Sequence, residues 1–368
     1  MKNRKAAHFL LIPELLYSPP NNAIINAYLE NNYQVDIYTP GEIVETSRYG
    51  TSVRIFSVDY SWSWIVRNAI KNKWCSYDII SGTSEDPLLI VGMVSELYRK
   101  KSICLVDEIK SGTYRGDRSE FWKRLCKRAI RRSQLRIVND ESRVNLLRDY
   151  GNIEIHKEIL VYPGCYYDRP EKRISVRQRY RSHWGFNEDD FVIASSGGFN
   201  MTAGAEWLLH YLKENAQVCS VIQPLGVTPL SMYLLKNFES GGKIYIQENR
   251  MGWAEAWESA QAFDVGLCIY KNQAPQFQHM GISSNRLCMF LAMGVPVIAT
   301  RQKSFEFIEE YNCGVLVDNY KEFSNSIGVI KESLSVMKLN CEKCFQEYIR
   351  PKERFNELSS YIHDRLRK

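Results

Sequence analysis

The stretch from Gly281 to Val317, GISSNRLCMFLAMGVPVIATRQKSFEFIEEYNCGVLV, carries the local signals that decide the fold. Three residues of helix-capping type come first: Ser283, Ser284 and Asn285. The apolar helical face that follows predicts a helix that ends at Gly294. Pro296 then introduces the run 297–300, Val-Ile-Ala-Thr, which is typical of a buried parallel strand.

The same pattern repeats after a polar turn. A second helix is predicted from Phe305 to Tyr311, followed by a strand at 315–317. In an open parallel sheet, ligands bind where helix N-termini meet the carboxyl ends of strands. Helix N-termini near Asn285 and Phe305 are therefore expected at one crevice. Their free N–H groups attract phosphate, and Arg286 adds a fixed positive charge.

The rest of the chain alternates predicted strands and helices in the same way. In the first half the predicted strands are Ala6–Ile12, Gln34–Tyr38, Arg54–Ser57, Tyr77–Ile80, Ser102–Val106 and Leu135–Asn139. In the second half they begin with Phe191–Ser195, Val218–Ile222, Lys243–Gln247 and Val265–Ile269. This alternation implies parallel sheets with helices on both faces, and 368 residues favour two domains.

The pattern resembles the donor-binding half of two-domain (GT-B) glycosyltransferases, especially the retaining group called family 4. That family joins a serine and a basic residue at a helix start to an A-x-G-x-P-V-I-A strand, a loop glutamate and a G-x-L-V strand. The residues in register here are Ser283, Arg286, Ala292, Gly294, Pro296, Val297, Ile298, Ala299, Glu306, Gly314, Leu316 and Val317. The resemblance implies an α/β protein with two Rossmann-like domains (GT-B architecture) and an interdomain cleft.

The resemblance also suggests domain boundaries. Residues 160–164, Leu-Val-Tyr-Pro-Gly, are similar to the family's V-x-P-N-G crossover between domains. The prediction is an acceptor-side domain at 1–164 and a nucleotide-sugar-binding domain at 165–345. In such folds the last helix returns to the first domain, and residues 346–368 are predicted to do so.

Several donor contacts of the family are replaced in this sequence. The glutamate that holds the donor ribose falls on Met289, and its earlier partner falls on Gly281. The basic pair that grips the diphosphate falls on Phe199 and Ala203. A thioether cannot accept two strong hydrogen bonds from a ribose diol. The ribose end of the donor site is therefore predicted to differ at Met289.

A glycine-rich loop, 196–200 (SGGFN), follows the first predicted strand of the second domain. Small residues let a backbone approach a ligand, and the helix predicted from about Thr202 offers N–H groups. Gly198 and Asn200 are therefore predicted to join the donor site; a tight turn without a ligand is the alternative. The predicted donor-binding residues are Gly198, Asn200, Ser283, Ser284, Asn285, Arg286 and Met289.

Glu306 and His279 are the candidate catalytic residues. The resemblance places Glu306 where the family's glutamate contacts donor sugar hydroxyls, which a carboxylate can bind. The alternative is a first-turn acid that the helix dipole favours. His279 lies in the loop 270–281, where it would stabilise phosphate or transfer a proton, or else be structural. His8 and Glu108 are weaker candidates.

A strongly basic segment lies in the first half. Residues 110–136 hold ten Lys or Arg and two acids, a net charge of +8, while the whole chain carries +6. The cations predicted to face an anionic membrane are Lys123, Arg124, Lys127, Arg128 and Arg131. The apolar stripe from Phe121 to Ile130 is predicted to pack on the sheet. The alternative is a merely solvated surface; nucleic acid is disfavoured because no recognised binding motif accompanies the charge.

Composition favours a reduced globular protein. No apolar run approaches the ~20 residues of a membrane span. Pro13 and Glu14 interrupt the N-terminal apolar run, which favours a first strand over a signal peptide. The protein is therefore predicted to be cytoplasmic. The ten cysteines are scattered in apolar surroundings, as reduced thiols are. A redox or metal role is disfavoured for Cys341 and Cys344, the one C-x-x-C pair.

These features together predict a glycosyltransferase. It would move a sugar from a nucleotide-sugar to a lipid-linked or saccharide acceptor in cell-surface polysaccharide or glycolipid assembly. The resemblance implies retention of anomeric configuration. No cofactor is expected, and metal-independent transfer is implied because no D-x-D triplet occurs. The predicted location is cytoplasmic, peripheral on the inner face of the membrane. The alternatives are a nucleotide-sugar epimerase of the same fold and a lapsed transferase that only binds a partner.

Overall fold

In the computed structural model the chain forms two compact units. The structure describes residues 4–41, 47–71, 74–107, 120–224, 243–249, 251–271 and 274–366. Unit 1 comprises the residues up to Tyr167 together with the C-terminal segment from Pro351, and unit 2 runs from Asp168 to Arg350. The candidate Glu108 and the basic residues at 110, 115 and 118 lie outside the described residues.

Unit 1 is built on a seven-stranded parallel sheet. Its strands are β1 (Arg4–Phe9), β2 (Tyr33–Thr39), β3 (Val53–Ser57), β4 (Ile79–Thr83), β5 (Lys101–Leu105), β6 (Leu135–Val138) and β7 (Ile159–Val161). The helices are α1 (Pro19–Glu30), α2 (Trp62–Ile70), α3 (Glu85–Leu97), α4 (Glu120–Arg132) and α5 (Ser142–Gly151). The strand order is β3-β2-β1-β4-β5-β6-β7, so the order reverses between β1 and β4.

Unit 2 is built on a six-stranded parallel sheet. Its strands are β8 (Phe191–Gly197), β9 (Val218–Pro224), β10 (Ile244–Ile246), β11 (Val265–Cys268), β12 (Val297–Thr300) and β13 (Gly314–Val317). The helices are α6 (Ile174–His183), α7 (Ala205–Glu214), α8 (Trp253–Ala260), α9 (Pro275–Gln278), α10 (Asn285–Ala292), α11 (Phe307–Glu310) and α12 (Tyr320–Cys344). The order β10-β9-β8-β11-β12-β13 reverses between β8 and β11.

The C-terminal segment packs into unit 1. It forms the helix α13 (Pro351–Tyr361), and Phe355 and Leu358 lie in the same buried apolar cluster as Ile24 and Tyr28 of α1. Asn31 Nδ2, at the end of α1, donates to the Ser359 carbonyl oxygen at 3.1 Å. Burial of apolar side chains therefore fixes α13 in the core of unit 1.

A close contact between helix and strand sets the layer spacing in unit 2. A Cβ built on Gly266 of β11 would lie 2.2 Å from Cδ2 of Phe290. Only glycine leaves room for that ring, so α10 lies directly on the sheet. The helix α10, which carries Asn285, Arg286 and Met289, is thereby held against the strand β11.

A buried charge network also holds unit 2 together. The Asp264 carboxylate pairs with Arg181 at 2.6 Å, Arg177 at 3.0 Å and Lys338 at 3.1 Å, and it accepts a hydrogen bond from the Val192 N–H at 3.0 Å. Burial alone would raise the pKa of Asp264, but the three cations outweigh it and lower that pKa. The network joins α6, β8 and α12 to the start of β11.

Two local predictions are wrong. The helix expected at Phe305–Tyr311 is a 3-10 turn, Lys303–Phe305, followed by the short α11, because both Phe305 and Phe307 point into the core. The helix expected from about Thr202 begins at Ala205 instead, after a 3-10 turn.

Candidate donor site at the carboxyl edge of unit 2

The carboxyl ends of β8 and β11 lie at the topological switch point of unit 2. The two strands are neighbours, with Ile193 opposite Val265, and the strand order reverses between them. Chain connections leave the sheet in opposite directions at such a point, which opens a crevice where α/β proteins bind ligands. Most residues of the candidate site lie on the loops after these two strands.

The glycine-rich loop after β8 is shaped by one side chain and one glycine. Asn200 Oδ1 accepts hydrogen bonds from the Ala203 N–H at 3.0 Å and from Thr202 Oγ1 at 2.8 Å, and so caps the 3-10 turn. Gly204 has φ +77°, and a Cβ there would lie 2.9 Å from Cγ2 of Ile269. The start of α7 is therefore pressed against the exit of β11. Gly198 is exposed, as a ligand contact requires.

Ser284 caps the helix α10 and ties it to the loop after β11. Its Oγ accepts a hydrogen bond from the Leu287 N–H at 3.2 Å and lies 2.6 Å from the Tyr270 hydroxyl. Burial raises the pKa of Tyr270, against the opposing charge of Arg286, so the hydroxyl stays protonated at neutral pH. Ser283 lies in the preceding 3-10 turn, Gly281–Ser283, and Asn285 is the first residue of α10.

Arg286 is bound to both strands at the switch point. Its Nη1 donates to the Ser196 carbonyl oxygen at 3.2 Å and its Nη2 to the Ile269 carbonyl oxygen at 3.0 Å, at the ends of β8 and β11. Its Nε donates to the Tyr270 hydroxyl at 2.9 Å, and the guanidinium lies 4.3 Å from the centroid of that ring. All of these partners are uncharged, and no carboxylate of the described residues pairs with Arg286. Arg286 therefore places a positive charge in the crevice that no carboxylate of the described residues neutralises.

The second predicted helix start lies beside the first. The Gly281 N–H donates to Ser304 Oγ at 3.1 Å, which joins the turn before α10 to the turn Lys303–Phe305. Glu306 follows that turn and is exposed, and its carboxylate has no hydrogen-bond or ionic partner among the described residues. An unpaired carboxylate at this edge is free to accept hydrogen bonds from a sugar.

His279 and Met289 lie before and after the turn Gly281–Ser283, and they differ in burial. His279 is half-buried in the turn between α9 and Gly281. Met289 lies on α10 with only 4% of its surface exposed. The thioether is thus part of the core of unit 2, where the sequence resemblance would have placed a ribose-binding carboxylate. Phe199 is likewise buried, at 4% exposure.

Sequence reasoning missed Tyr270 and Lys271. Both directly follow the exit of β11, and the Tyr270 N–H donates to Thr300 Oγ1 at 2.7 Å, at the end of β12. The signal that was available is their position, because polar residues just after a central parallel strand lie at the ligand edge.

His8, the weaker candidate, lies on β1 at the switch point of unit 1 and is fully buried. Its Nε2 lies 2.9 Å from Asn21 Oδ1 and its Nδ1 lies 2.7 Å from Ser81 Oγ. Burial lowers the pKa of His8 to about 4, although the hydrogen bond to Asn21 opposes the change. The imidazole is therefore neutral at physiological pH and joins β1, α1 and β4 through uncharged hydrogen bonds.

The basic helix α4 divides into a packed face and an exposed face. Cys126, Ala129 and Ile130 are buried, and a Cβ on Gly92 of α3 would lie 2.4 Å from the Cβ of Ala129. The predicted packing stripe is wrong at its start, because Phe121 is 63% exposed. Its position in the first turn of the helix leaves the ring outside the contact with α3.

The cations of α4 are not equivalent. Arg128 and Arg132 both pair with Glu96 of α3, at 2.7 and 3.0 Å, and Lys123 pairs with Glu120. Arg136, which the basic segment includes, is 1% exposed and caps the end of α4 through backbone carbonyl oxygens. The exposed cations without a carboxylate partner among the described residues are Arg124, Lys127 and Arg131.

Cys341 and Cys344 are buried reduced thiols beside Cys313. Cys341 Sγ lies 3.5 Å from the Cys313 carbonyl oxygen. Within the described ranges, no group of three or more His, Cys, Asp or Glu side chains is placed to hold a metal ion. No helix in the described part of the chain is both long enough and apolar enough to cross a membrane.

Comparison with solved structures identifies the fold. HepE from Anabaena, solved with UDP, gives a TM-score of 0.75 at 12% identity, over 98% of this chain and 99% of that chain. HepE solved with UDP-glucose gives 0.74 at 13% identity, over 97% and 99%. Sucrose-phosphate synthase from Thermosynechococcus elongatus gives 0.70 at 12%, over 98% and 96%. WaaG, a glycosyltransferase involved in lipopolysaccharide biosynthesis, gives 0.67 at 12%, over 97% and 100%.

The fold is also similar to that of an epimerase. A putative UDP-N-acetylglucosamine 2-epimerase from Listeria monocytogenes gives a TM-score of 0.63 at 11% identity, over 99% of this chain and 97% of that chain. The prediction of two Rossmann-like units in the GT-B architecture is confirmed. No protein-family model and no curated protein matches the sequence.

Proposed function

We propose that the protein is a glycosyltransferase that binds a nucleoside-diphosphate sugar at the carboxyl edge of unit 2 and transfers the sugar to an acceptor. The observation that carries the proposal is the guanidinium of Arg286. It is held at the switch point by three uncharged acceptors and has no carboxylate partner among the described residues. A guanidinium has five N–H donors, so donors remain for a phosphate.

The surroundings of Arg286 favour an anion. Ser284 caps α10 beside it, and the amide groups of a helix N-terminus attract negative charge. The stacked Tyr270 ring and the two strand carbonyl groups fix the orientation of the guanidinium before any ligand arrives. Preorganised charge of this kind stabilises a departing diphosphate without reorganisation, which is the expected route for metal-independent transfer.

The sugar end of the donor is assigned to Glu306 and His279. The Glu306 carboxylate is exposed and would accept hydrogen bonds from sugar hydroxyls. His279 would stabilise phosphate or transfer a proton. Gly198, exposed after β8, would allow close backbone approach, and Asn200 would keep the loop in shape. Retention of configuration is the expectation that the family resemblance supports.

The acceptor is assigned as lipid-linked, in cell-surface polysaccharide or glycolipid assembly. A lipid-linked acceptor stays at the bilayer, so the enzyme would bind there as a cytoplasmic peripheral protein. The exposed ring of Phe121 and the unpaired cations Arg124, Lys127 and Arg131 suit an anionic membrane surface. WaaG, of similar fold, is a glycosyltransferase involved in lipopolysaccharide biosynthesis.

The donor site is tested by calorimetry of nucleoside diphosphates with the wild type and an Arg286→Ala variant. The substitution is expected to weaken binding by about 1–3 kcal/mol, the range for a charged hydrogen-bond partner. Arg301→Ala is the matched control, because Arg301 lies at the same edge but pairs with Asp318 and Glu309. Equal affinities for the two variants would remove Arg286 from the site.

Two alternatives predict different fates for the nucleotide-sugar. An epimerase would convert the nucleotide-sugar without an acceptor, and the Listeria epimerase has a similar fold. A lapsed transferase would bind without turnover, which the apolar residues Met289 and Phe199 favour. Mass spectrometry of the donor after incubation with and without lipid acceptors distinguishes the three, since only a transferase releases nucleoside diphosphate with an acceptor-linked sugar.

A further inference from the structure

Lys271 lies at the switch point, and the sequence analysis did not predict a role for it. Lys271 is two residues beyond Ile269, so the Cα atoms of Lys271 and Ile269 are at most about 7 Å apart. The carbonyl oxygen of Ile269 accepts a hydrogen bond from Arg286. The Lys271 N–H donates to the Thr202 carbonyl oxygen at 2.8 Å. This bond holds Lys271 against the loop between β8 and α7. That loop contains Phe199 and Ala203, which stand where the family resemblance would place the basic pair.

The ammonium group of Lys271 is held in place from one side. It pairs with Glu206 Oε1 in the first turn of α7 and lies 3.7 Å from the centroid of the Trp207 ring. The two side chains of the pair are about one quarter to one third exposed, at 26% and 31%. The pair is thus fixed by packing but still reached by solvent.

We propose that Lys271 is the second cation of the donor site, which binds the diphosphate together with Arg286. This inference rests on the proposed donor site and names a residue for it. An ammonium has three N–H donors. Glu206 takes one of them, and the others are available to phosphate oxygens. The cation reaches the diphosphate from the exit of β11 instead of from the loop after β8.

The geometry gives a reason for the change of position. Phe199 and Ala203 are both buried in the packing of unit 2, so neither place can present a charge. The bond from Lys271 to Thr202 brings the exit of β11 against that same loop. A carboxylate in the first turn of α7 would repel phosphate if left unpaired, and the ammonium of Lys271 neutralises it.

The test compares variants that break the same ion pair. Lys271→Gln removes the cation, Glu206→Gln keeps it, and Lys213→Gln at the other end of α7 is the control. Calorimetry uses whichever of UDP, GDP, ADP and CDP the wild type binds, with the matching monophosphate and nucleoside. Lys271→Gln is expected to weaken diphosphate binding about 10- to 100-fold and nucleoside binding less than twofold. Glu206→Gln is expected to lower the thermal midpoint as much as Lys271→Gln does, yet to stay within threefold of wild-type affinity.

The outcomes separate this inference from the proposed function. Equal weakening by Lys271→Gln and Glu206→Gln, or a loss that is the same for nucleoside and diphosphate, would show a structural ion pair and overturn the inference. Unchanged diphosphate affinity in a folded Lys271→Gln protein would overturn it as well, with the donor site intact. If the wild type binds none of the four diphosphates, the donor site itself fails, and the inference falls with it.

Discussion

Replacing Asp264 by Asn should strongly destabilise unit 2. The side chain is 5% exposed and pairs with Arg181, which is fully buried, as well as with Arg177 and Lys338. The substitution preserves volume, so the loss comes from uncompensated buried charge, for which about 3–5 kcal/mol is expected. Urea unfolding followed by tryptophan fluorescence measures the change. Asp318→Asn is the control, since that carboxylate is exposed and pairs with Arg301 on the surface, where about 0.5 kcal/mol or less is expected.

The lowered pKa of Asp264 predicts how the stability difference between wild type and Asp264→Asn changes with pH. Because the folded-state pKa of Asp264 is lowered, its contribution is complete above the ordinary aspartate pKa of about 3.9. The contribution is lost as the pH falls through the lowered value. The stability difference between wild type and Asp264→Asn should therefore be constant from neutral pH to about pH 5 and shrink in stronger acid. A loss below about 1 kcal/mol at neutral pH, or a difference that grows on acidification, would refute the reasoning.

Three further predictions concern the site and the surface. Gly204→Ala should lower the thermal midpoint, because a side chain at φ +77° and its contact with Ile269 cost about 1–3 kcal/mol. Gly198→Ala is the control and should not lower it, because a Cβ at Gly198 would lie 3.6 Å from its nearest neighbour, Asn200 Nδ2. Met289→Glu should lower the free energy of unfolding by more than 2 kcal/mol in denaturant titrations, since a carboxylate would enter a buried position; wild-type stability would show that α10 leaves Met289 accessible. Wild type should sediment with anionic vesicles at low salt, and a triple Gln variant should lose about 100-fold in affinity at roughly 1 kcal/mol per charge; equal binding would contradict this. The variant replaces Arg124, Lys127 and Arg131, and its charge-matched control replaces Lys213, Lys321 and Lys343.

The fold followed from local signals. Apolar β-branched runs such as 297–300 predict buried strands because neither face of such a strand meets water. The observed strand Val297–Thr300 has those bounds. The split between Lys303–Phe305 and α11 could not be predicted in the same way, because it depends on the core accepting both Phe305 and Phe307, which are only two residues apart. Tertiary packing, and not the local sequence, decides that both rings are buried.

The candidate site was predictable by position but not by its contacts. Capping by Ser284 is a local matter, and the hydrogen bond to Leu287 N–H is the expected one. The partners of Arg286 are not local, since Ser196 lies 90 residues away along the chain. Lys271 was missed because its proximity to the loop after β8 appears only when β11 lies beside β8.

The central claim is that the carboxyl edge of unit 2 binds the nucleoside diphosphate of the donor. Amide hydrogen exchange with and without saturating UDP, read by peptide mass spectrometry, tests it most directly. GDP, ADP and CDP are used in the same way if UDP does not bind. Slower exchange is expected in peptides that cover 196–206, 269–271, 281–290 and 303–307. Binding without protection at these segments, or protection confined to residues 4–167, would contradict the assignment.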